Sequence, residues 1–270
     1  MTISAVTGSA TPGRSTIVTW VQGLCGLAGL AIIIEAVPRS GIVSATYFPP
    51  FSVIMAALFD EMHLASFWIA LGHTLESWAI GLALAAIAGA AIGILIGSSF
   101  LLREATHSTI EFLRPIPSVA LIPLATLLFG TTLKANLVLV VYASFWQVLI
   151  QVLYGVQDVD PVAIDTARSY RMSRWAQIRY VLWPTTLPYL MTGIRLAAAV
   201  ALILTITAEL IIGTPGLGKE LFNAQNSAAY TIMYVYVVVT GIIGVTVNLA
   251  ARAVERAIMS WHPSIRAVMP

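Results

Sequence analysis

Leu221–Ala251 reads LFNAQNSAAYTIMYVYVVVTGIIGVTVNLAA and contains no Lys, Arg, Asp or Glu. An uncharged run of this length exceeds the roughly 18–20 apolar residues that carry a helix across a bilayer. Working outward from it, similar runs recur: Thr16–Ile34, Ser77–Leu102, Pro115–Leu133, Ala135–Gln157, and Trp183–Ile212 broken only by Arg195 and Glu209. Over the 270 residues, 59% are hydrophobic and 10% charged, whereas soluble domains run nearer a quarter charged. None of the runs alternates with period two, which excludes an outer-membrane barrel. The expected fold is an all-α polytopic membrane protein of about six helices, near 17–37, 75–98, 113–131, 135–156, 188–212 and 229–251. Short tails are expected at 1–16 and 258–270. The single cysteine, Cys25, excludes an internal disulfide and any cysteine zinc site.

Orientation follows from the distribution of Lys and Arg. With the N-terminus inside, Arg14, Arg103, Arg168, Arg171, Arg174, Arg179, Arg252, Arg256 and Arg266 all fall on the cytoplasmic side, and Arg114 and Arg195 fall close to it. Only Arg39, Lys134 and Lys219 fall outside, so both termini are expected in the cytoplasm. Val43-Ser44-Ala45 has the look of a signal cleavage site, but the first apolar run is longer than a signal peptide's and reads as an uncleaved span. Phe48-Pro49-Pro50-Phe51 breaks the outer segment, and Phe51–Leu71 reads as one or two surface helices. Helix 2 carries Gly81, Ala85, Gly89, Gly93 and Gly97 at spacing four, a face that a neighbouring backbone can approach closely. Helix 3 opens on Arg114-Pro115-Ile116-Pro117 and meets Pro123, so it is expected to bend.

One segment does not belong to a simple bundle. Asp158–Leu187 is too polar to span. Asp160-Pro161 reads as an N-cap followed by proline at the first helical position, with Val162, Ala163, Ala167 and Tyr170 on one side. A second start at Ser173 is followed by Trp175, Ile178, Val181 and Leu182 at helical spacing. Pro184 and Pro188 are expected to end it. The physical content is a helical hairpin at the cytoplasmic face, for which an amphipathic segment lying on lipid is the alternative.

Asp165-Thr166-Ala167, three residues, Arg171, nine residues and Val181-Leu182-Trp183-Pro184 resemble the EAA signature of permease subunits in bacterial binding-protein-dependent ABC importers. The family pattern is Glu-Ala-Ala, three residues, Gly, nine residues, Ile-x-Leu-Pro. Spacing matches throughout; Ala167 and Pro184 match in identity. Leu113–Pro117, Ala120–Leu124, Phe129-Gly130, Asp158–Pro161, Ser173–Trp175, Leu187-Pro188, Gly193–Leu196, Ala208-Glu209 and Gly216–Gly218 follow in the order seen in the branch serving nitrate, taurine and aliphatic sulfonates.

The resemblance implies a non-enzymatic subunit that lines the path of a small solute in the bacterial cell membrane. Its implied partners are two ABC ATPase subunits that bind ATP and Mg, an external solute-binding protein, a second permease copy (identical or a paralogue) and the lipid bilayer. It implies no nucleic-acid partner and no cofactor bound by the chain. Docking onto the ATPase falls to Asp165, Thr166, Ala167, Tyr170, Arg171, Met172 and Trp175. Arg171 replaces a glycine, at a turn that often needs φ > 0, where arginine is poorly tolerated. Either the turn differs here, or the subunit pairs with a non-identical permease.

The remaining polar groups define candidates for the pathway. Glu209, with Thr205 and Thr207, lies toward the outer end of helix 5, either as a gate or as a brace for the outer loop near Lys219 or Lys134. Trp146, Gln147 and Gln151 stand in helix 4, lining the cavity or bonding between helices. Arg195 is expected to snorkel to the inner interface. Gly213–Glu220 nearly spells a phosphate loop but has Glu220 where Ser or Thr would hold Mg²⁺. His63, His73, His107 and His262 show no metal-ligand spacing. A self-contained secondary transporter, the rival reading, would typically show two repeated halves, and no such repeat is seen.

Overall fold

The computed structural model describes residues 16–259, in which all regular structure is helical. The expected tails, with Arg14, His262 and Arg266, lie outside the described residues apart from their innermost positions. The helices are α1 (Thr16–Arg39), α2 (Phe51–Glu61), α3 (Ala65–Gly97), α4 (Phe100–Leu113), α5 (Ile122–Phe129, after a 3₁₀ turn at Ser118–Leu121) and α6 (Leu133–Gln157). They continue with α7 (Pro161–Ser169), α8 (Arg174–Gln177), a π turn (Ile178–Leu182), α9 (Trp183–Ile212), α10 (Leu217–Asn226) and α11 (Tyr230–Ile258). Among the described residues five are long and apolar enough to cross a membrane, and the pair α4–α5, bent by 81°, makes six if it is one broken span.

The centre of the bundle is α3, α6 and α9. The small-residue ladder of α3 is consumed inside the subunit: a β-carbon on Gly81, Gly89, Gly93 or Gly97 would meet Val140, Val148, Val152 or Val156 of α6 respectively, at 2.5–2.9 Å. Glycine against valine lets the two backbones touch. In lipid, where apolar surface is no worse solvated than in protein, such packing rather than release of water holds helices together. The paired numbers rise together, so α3 and α6 run parallel, and the chain between them must recross the membrane. Gly193 of α9 lies against Val148 and Gln151, and Gly155 of α6 against Tyr189, so α9 runs antiparallel to both.

The recrossing is not the single helix expected at 113–131. Ser99 caps α4, its side chain accepting from the Leu102 amide at 3.4 Å, so the helix starts well before residue 113. It stops at Leu113, and the chain turns by 81° before α5. Pro115 and Pro117 lack the amide donors that would continue the ladder. Arg114 therefore stands at the far end of a 14-residue helix, about 20 Å from its start at 1.5 Å per residue, and not near the cytoplasmic edge as its sequence position suggested.

Two further boundaries differ from expectation. The surface region 51–71 is α2 alone, because α3 already begins at Ala65. Pro184 does not end α8, because α8, the π turn and α9 follow one another as a continuous helical run from Arg174 to Ile212. The Trp183 amide donates to the Ile178 carbonyl five residues back, and this shift in register accommodates a proline that has no donor to offer. At the opposite end α2, α10 and α11 share a core of Ile54, Leu217, Val235, Tyr236 and Val239. Glu35 of α1 accepts from the Ser52 amide at 2.9 Å and the Ser52 hydroxyl at 3.0 Å, which ties α1 to the N-terminus of α2, where a carboxylate is favoured.

Candidate functional site

The hairpin α7–α8 is locally self-sufficient. Asp160 accepts from the Val162 amide at 2.8 Å, with Pro161 opening the helix. At the other end the Met172 amide reaches the Ala167 carbonyl at 3.0 Å and the Arg171 amide the Arg168 carbonyl at 2.8 Å. These are the two bonds of a Schellman turn, which requires a left-handed residue between them. Arg171 is that residue, with φ 54°. The glycine-type turn is thus retained by an arginine, at a cost of about 1–2 kcal/mol for the left-handed backbone. Ser173 then caps α8 by accepting from the Ala176 amide at 3.2 Å, and Gln177 Nε2 donates to the Met172 carbonyl at 2.9 Å.

Of the docking candidates, Asp165, Thr166, Tyr170, Arg171 and Trp175 are exposed, Met172 is half-buried and Ala167 is buried. Ala167, Ala163 and Ile164 turn inward, while Val162, Thr166 and Tyr170 form an outward stripe at spacing four. Tyr170 therefore does not share a side with Ala167 as its sequence pattern suggested. Tyr170 is 79% exposed and Trp175 70%, and both sit at the end of the molecule that carries most of the arginines. Asp158 anchors the hairpin's entry, accepting from Tyr189 Oη at 2.8 Å.

The pathway candidates lie elsewhere. Glu209 is 0% exposed. Its Oε2 accepts from Thr74 Oγ1 at 2.9 Å and from the Gly218 amide at 3.0 Å, and Thr74 Oγ1 accepts from the Leu217 amide at 2.8 Å. The carboxylate thus holds the start of α10, directly at the Gly218 amide and through Thr74 at the Leu217 amide, two orphan helix-terminal donors. Gly216 and Gly218 are needed for this approach, because a β-carbon on either would overlap the Glu209 side chain. Glu209 is a brace, and it grips backbone amides rather than Lys219 or Lys134. Thr205 is equally enclosed and Trp146 is buried against Tyr142 and Phe145, so neither lines an open space in the subunit. Gln147 and Gln151 are half-buried, beside the close approach of Gly193 to α6. Arg195, instead of snorkelling, pairs with Glu255 of α11 at 3.1 Å.

A hairpin presented at the arginine-rich end of a bundle of five to six crossings coincides with a family match. Residues 89–260 fit the model described as "binding-protein-dependent transport system inner membrane component", a region that spans the broken crossing, the hairpin and α9–α11. The chain belongs to that family.

This permease is 30% identical over 182 residues to the nitrate import permease protein NrtB of Leptolyngbya laminosa, covering 67% of this chain and 65% of that one. It is 29% identical over 245 residues to the taurine transport system permease protein TauC of Escherichia coli (strain K12), covering 89% of each. Its fold matches a chain in the crystal structure of a bacterial ABC transporter involved in the import of alginate, with TM-score 0.63 at 14% identity over 90% of this chain and 97% of that one. The permease is therefore a transmembrane subunit of a binding-protein-dependent importer. The residues that sequence reasoning missed are Thr74 and Glu255, partners of Glu209 and Arg195. They lie 135 and 60 positions from the groups they bond, too far apart in the chain for any local pattern to reveal them.

Proposed function

We propose that this permease forms half of a solute passage and takes its driving force from ATPase subunits that grip the α7–α8 hairpin. The carrying observation is the exposure of Tyr170 and Trp175 on a turn closed by its own backbone hydrogen bonds. Large aromatic side chains on a rigid support at the polar end of a membrane bundle suit a protein groove, where aromatic anchors dominate binding energy. The exposed Asp165, Thr166 and Arg171 complete that surface, with Ala167 and Met172 packing it onto the bundle. ATP and Mg belong to the partner, since the hairpin offers no phosphate loop.

The arginine-rich end faces the cytoplasm under the positive-inside bias, in the bacterial inner membrane, with both termini inside. The α2–α10 end then faces outward and receives a small solute from a binding protein. A second permease copy completes the passage. Because Arg171 already holds the left-handed turn, an identical copy serves as well as a paralogue. Pressure at Trp175 passes into α9 along the chain, since α8, the π turn and α9 form a continuous helical run. Trp175→Glu or Tyr170→Asp is expected to abolish co-purification of the ATPase and transport-coupled hydrolysis while the permease still inserts. Intact assembly and hydrolysis in both variants would overturn the docking assignment.

A further inference from the structure

α4 and the residue after it carry Arg103, Glu104, His107, Glu111 and Arg114. Arg103, His107, Glu111 and Arg114 follow at spacings of four, four and three, which places them on one stripe of the helix. Glu104, His107, Glu111 and Arg114 are exposed and Arg103 is half-buried. With Ile150, Tyr154 and Gln157 of α6, this stripe borders an open groove of about 680 Å³. The groove begins at Gln157, the last residue of α6, at the arginine-rich end.

Its depth is fixed by one bond. Tyr142 Oη donates to the Leu113 carbonyl at 2.7 Å, and Tyr142 is near the middle of α6 (Leu133–Gln157). The end of α4 therefore lies alongside α6 about 13 Å from its start and about 22 Å from its end at 1.5 Å per residue, deep within a hydrocarbon core about 30 Å thick. An arginine or glutamate turned toward acyl chains at that depth is costly, and a side chain cannot snorkel so far. Exposed charge at that depth faces water or an opposite charge across an interface. Leu101 and Phe112, on the other side of α4, are exposed and apolar, as a face turned toward lipid or a neighbouring helix would be. His107 Nε2 lies 3.7 Å from the Glu111 carboxylate, whereas among the described residues no carboxylate lies within ion-pair distance of Arg114.

We propose that the Arg103–His107–Glu111–Arg114 stripe is the wetted wall of the passage from the arginine-rich mouth to mid-membrane. Arg114, beside the Pro115–Pro117 break, is then the positive charge that a solute meets at the deepest point of this wall. The inference rests on reading the permease as half of a passage. It shifts the wall from the enclosed Trp146, Thr205 and Glu209 of α6 and α9 to the charged face of α4. A cation held at a narrow, low-dielectric site favours anionic solutes and disfavours cationic ones.

The test places single cysteines at His107, Glu111, Leu101 and Phe112 in a Cys25→Ser background, in the assembled transporter in inverted membrane vesicles. The probes are membrane-impermeant methanethiosulfonates, one anionic and one cationic. Without nucleotide, His107→Cys and Glu111→Cys should react readily, and Leu101→Cys and Phe112→Cys at least tenfold more slowly. At Glu111→Cys the anionic reagent should be favoured by about tenfold relative to its reaction with a free thiol, and adding Arg114→Gln should remove that preference. Labelling of His107→Cys and Glu111→Cys no faster than at Leu101→Cys and Phe112→Cys, or a charge preference indifferent to Arg114→Gln, would overturn the proposal. ATPase coupling in the same vesicles keeps the two readings separable. A labelled stripe without coupling supports the wall and removes the hairpin docking; a coupled transporter with an unlabelled stripe does the reverse.

Discussion

At one end of the α8–α9 run, Tyr170 and Trp175 stand largely in the open beside a turn closed by its own backbone hydrogen bonds. At the other end, Glu209 is enclosed and spends its bonds on Thr74 and Gly218, which in turn fix Leu217 and α10. Both ends looked functional in the sequence, one as a docking motif and one as an intramembrane charge. The structure separates them by where their unmet interactions lie. At the buried end one carboxylate oxygen of Glu209 takes both bonds while Oε1 is enclosed without a partner, whereas the open end presents apolar surface that nothing in the subunit covers. Charge in a membrane suggests function by default; Glu209 finds its partners inside the subunit, whereas the charged stripe of α4 is exposed.

The contrast can be broken by substitutions ranked by their expected cost to the fold. Glu209→Ala should be the most damaging, by about 2–4 kcal/mol, since it strands the Gly218 amide and the Thr74 hydroxyl in a dry site. Thermal unfolding of the detergent-solubilised permease measures it, and an unchanged midpoint would mean that water replaces the carboxylate freely. Gly93→Leu should follow, by about 1–3 kcal/mol, through overpacking against Val152 and the Leu149 carbonyl; the same melt reports it. Arg171→Val should cost about 1–2 kcal/mol in the hairpin because a β-branched residue resists the left-handed region, while Arg171→Gly should be tolerated. Proteolytic nicking between α7 and α8 would rank the two, and equal protection would argue that the turn does not need φ > 0. Least of all, Trp175→Glu should leave the melt within about 0.5 kcal/mol of the parent, yet it is the variant expected to lose the ATPase. That inversion of stability and function is the sharpest form of the comparison.

Much of this was legible before any coordinates. The all-α membrane class, the hairpin's caps at Asp160 and Ser173, and the close-packing face of α3 all follow from residue type and spacing. The third crossing was only half legible: Pro115 and Pro117 announced a bend, but the length of α4 was hidden because its charged stripe looked like a loop. Arg114 was placed near the membrane edge for the same reason. The Arg171 departure raised a question of backbone conformation that composition cannot answer, and the two Schellman bonds answer it.

Chain chemistry by itself determined that helices form and cross, because apolar length and the need to bond every backbone amide in lipid leave no other choice. It also determined where helices are capped, since caps are contacts between near neighbours. Only tertiary structure decided which polar side chains are spent internally and which face open space. Those outcomes depend on what packs against each face, and the decisive partners, Thr74 for Glu209, Glu255 for Arg195 and Tyr142 for the end of α4, are brought together by the packing of helices far apart in the chain.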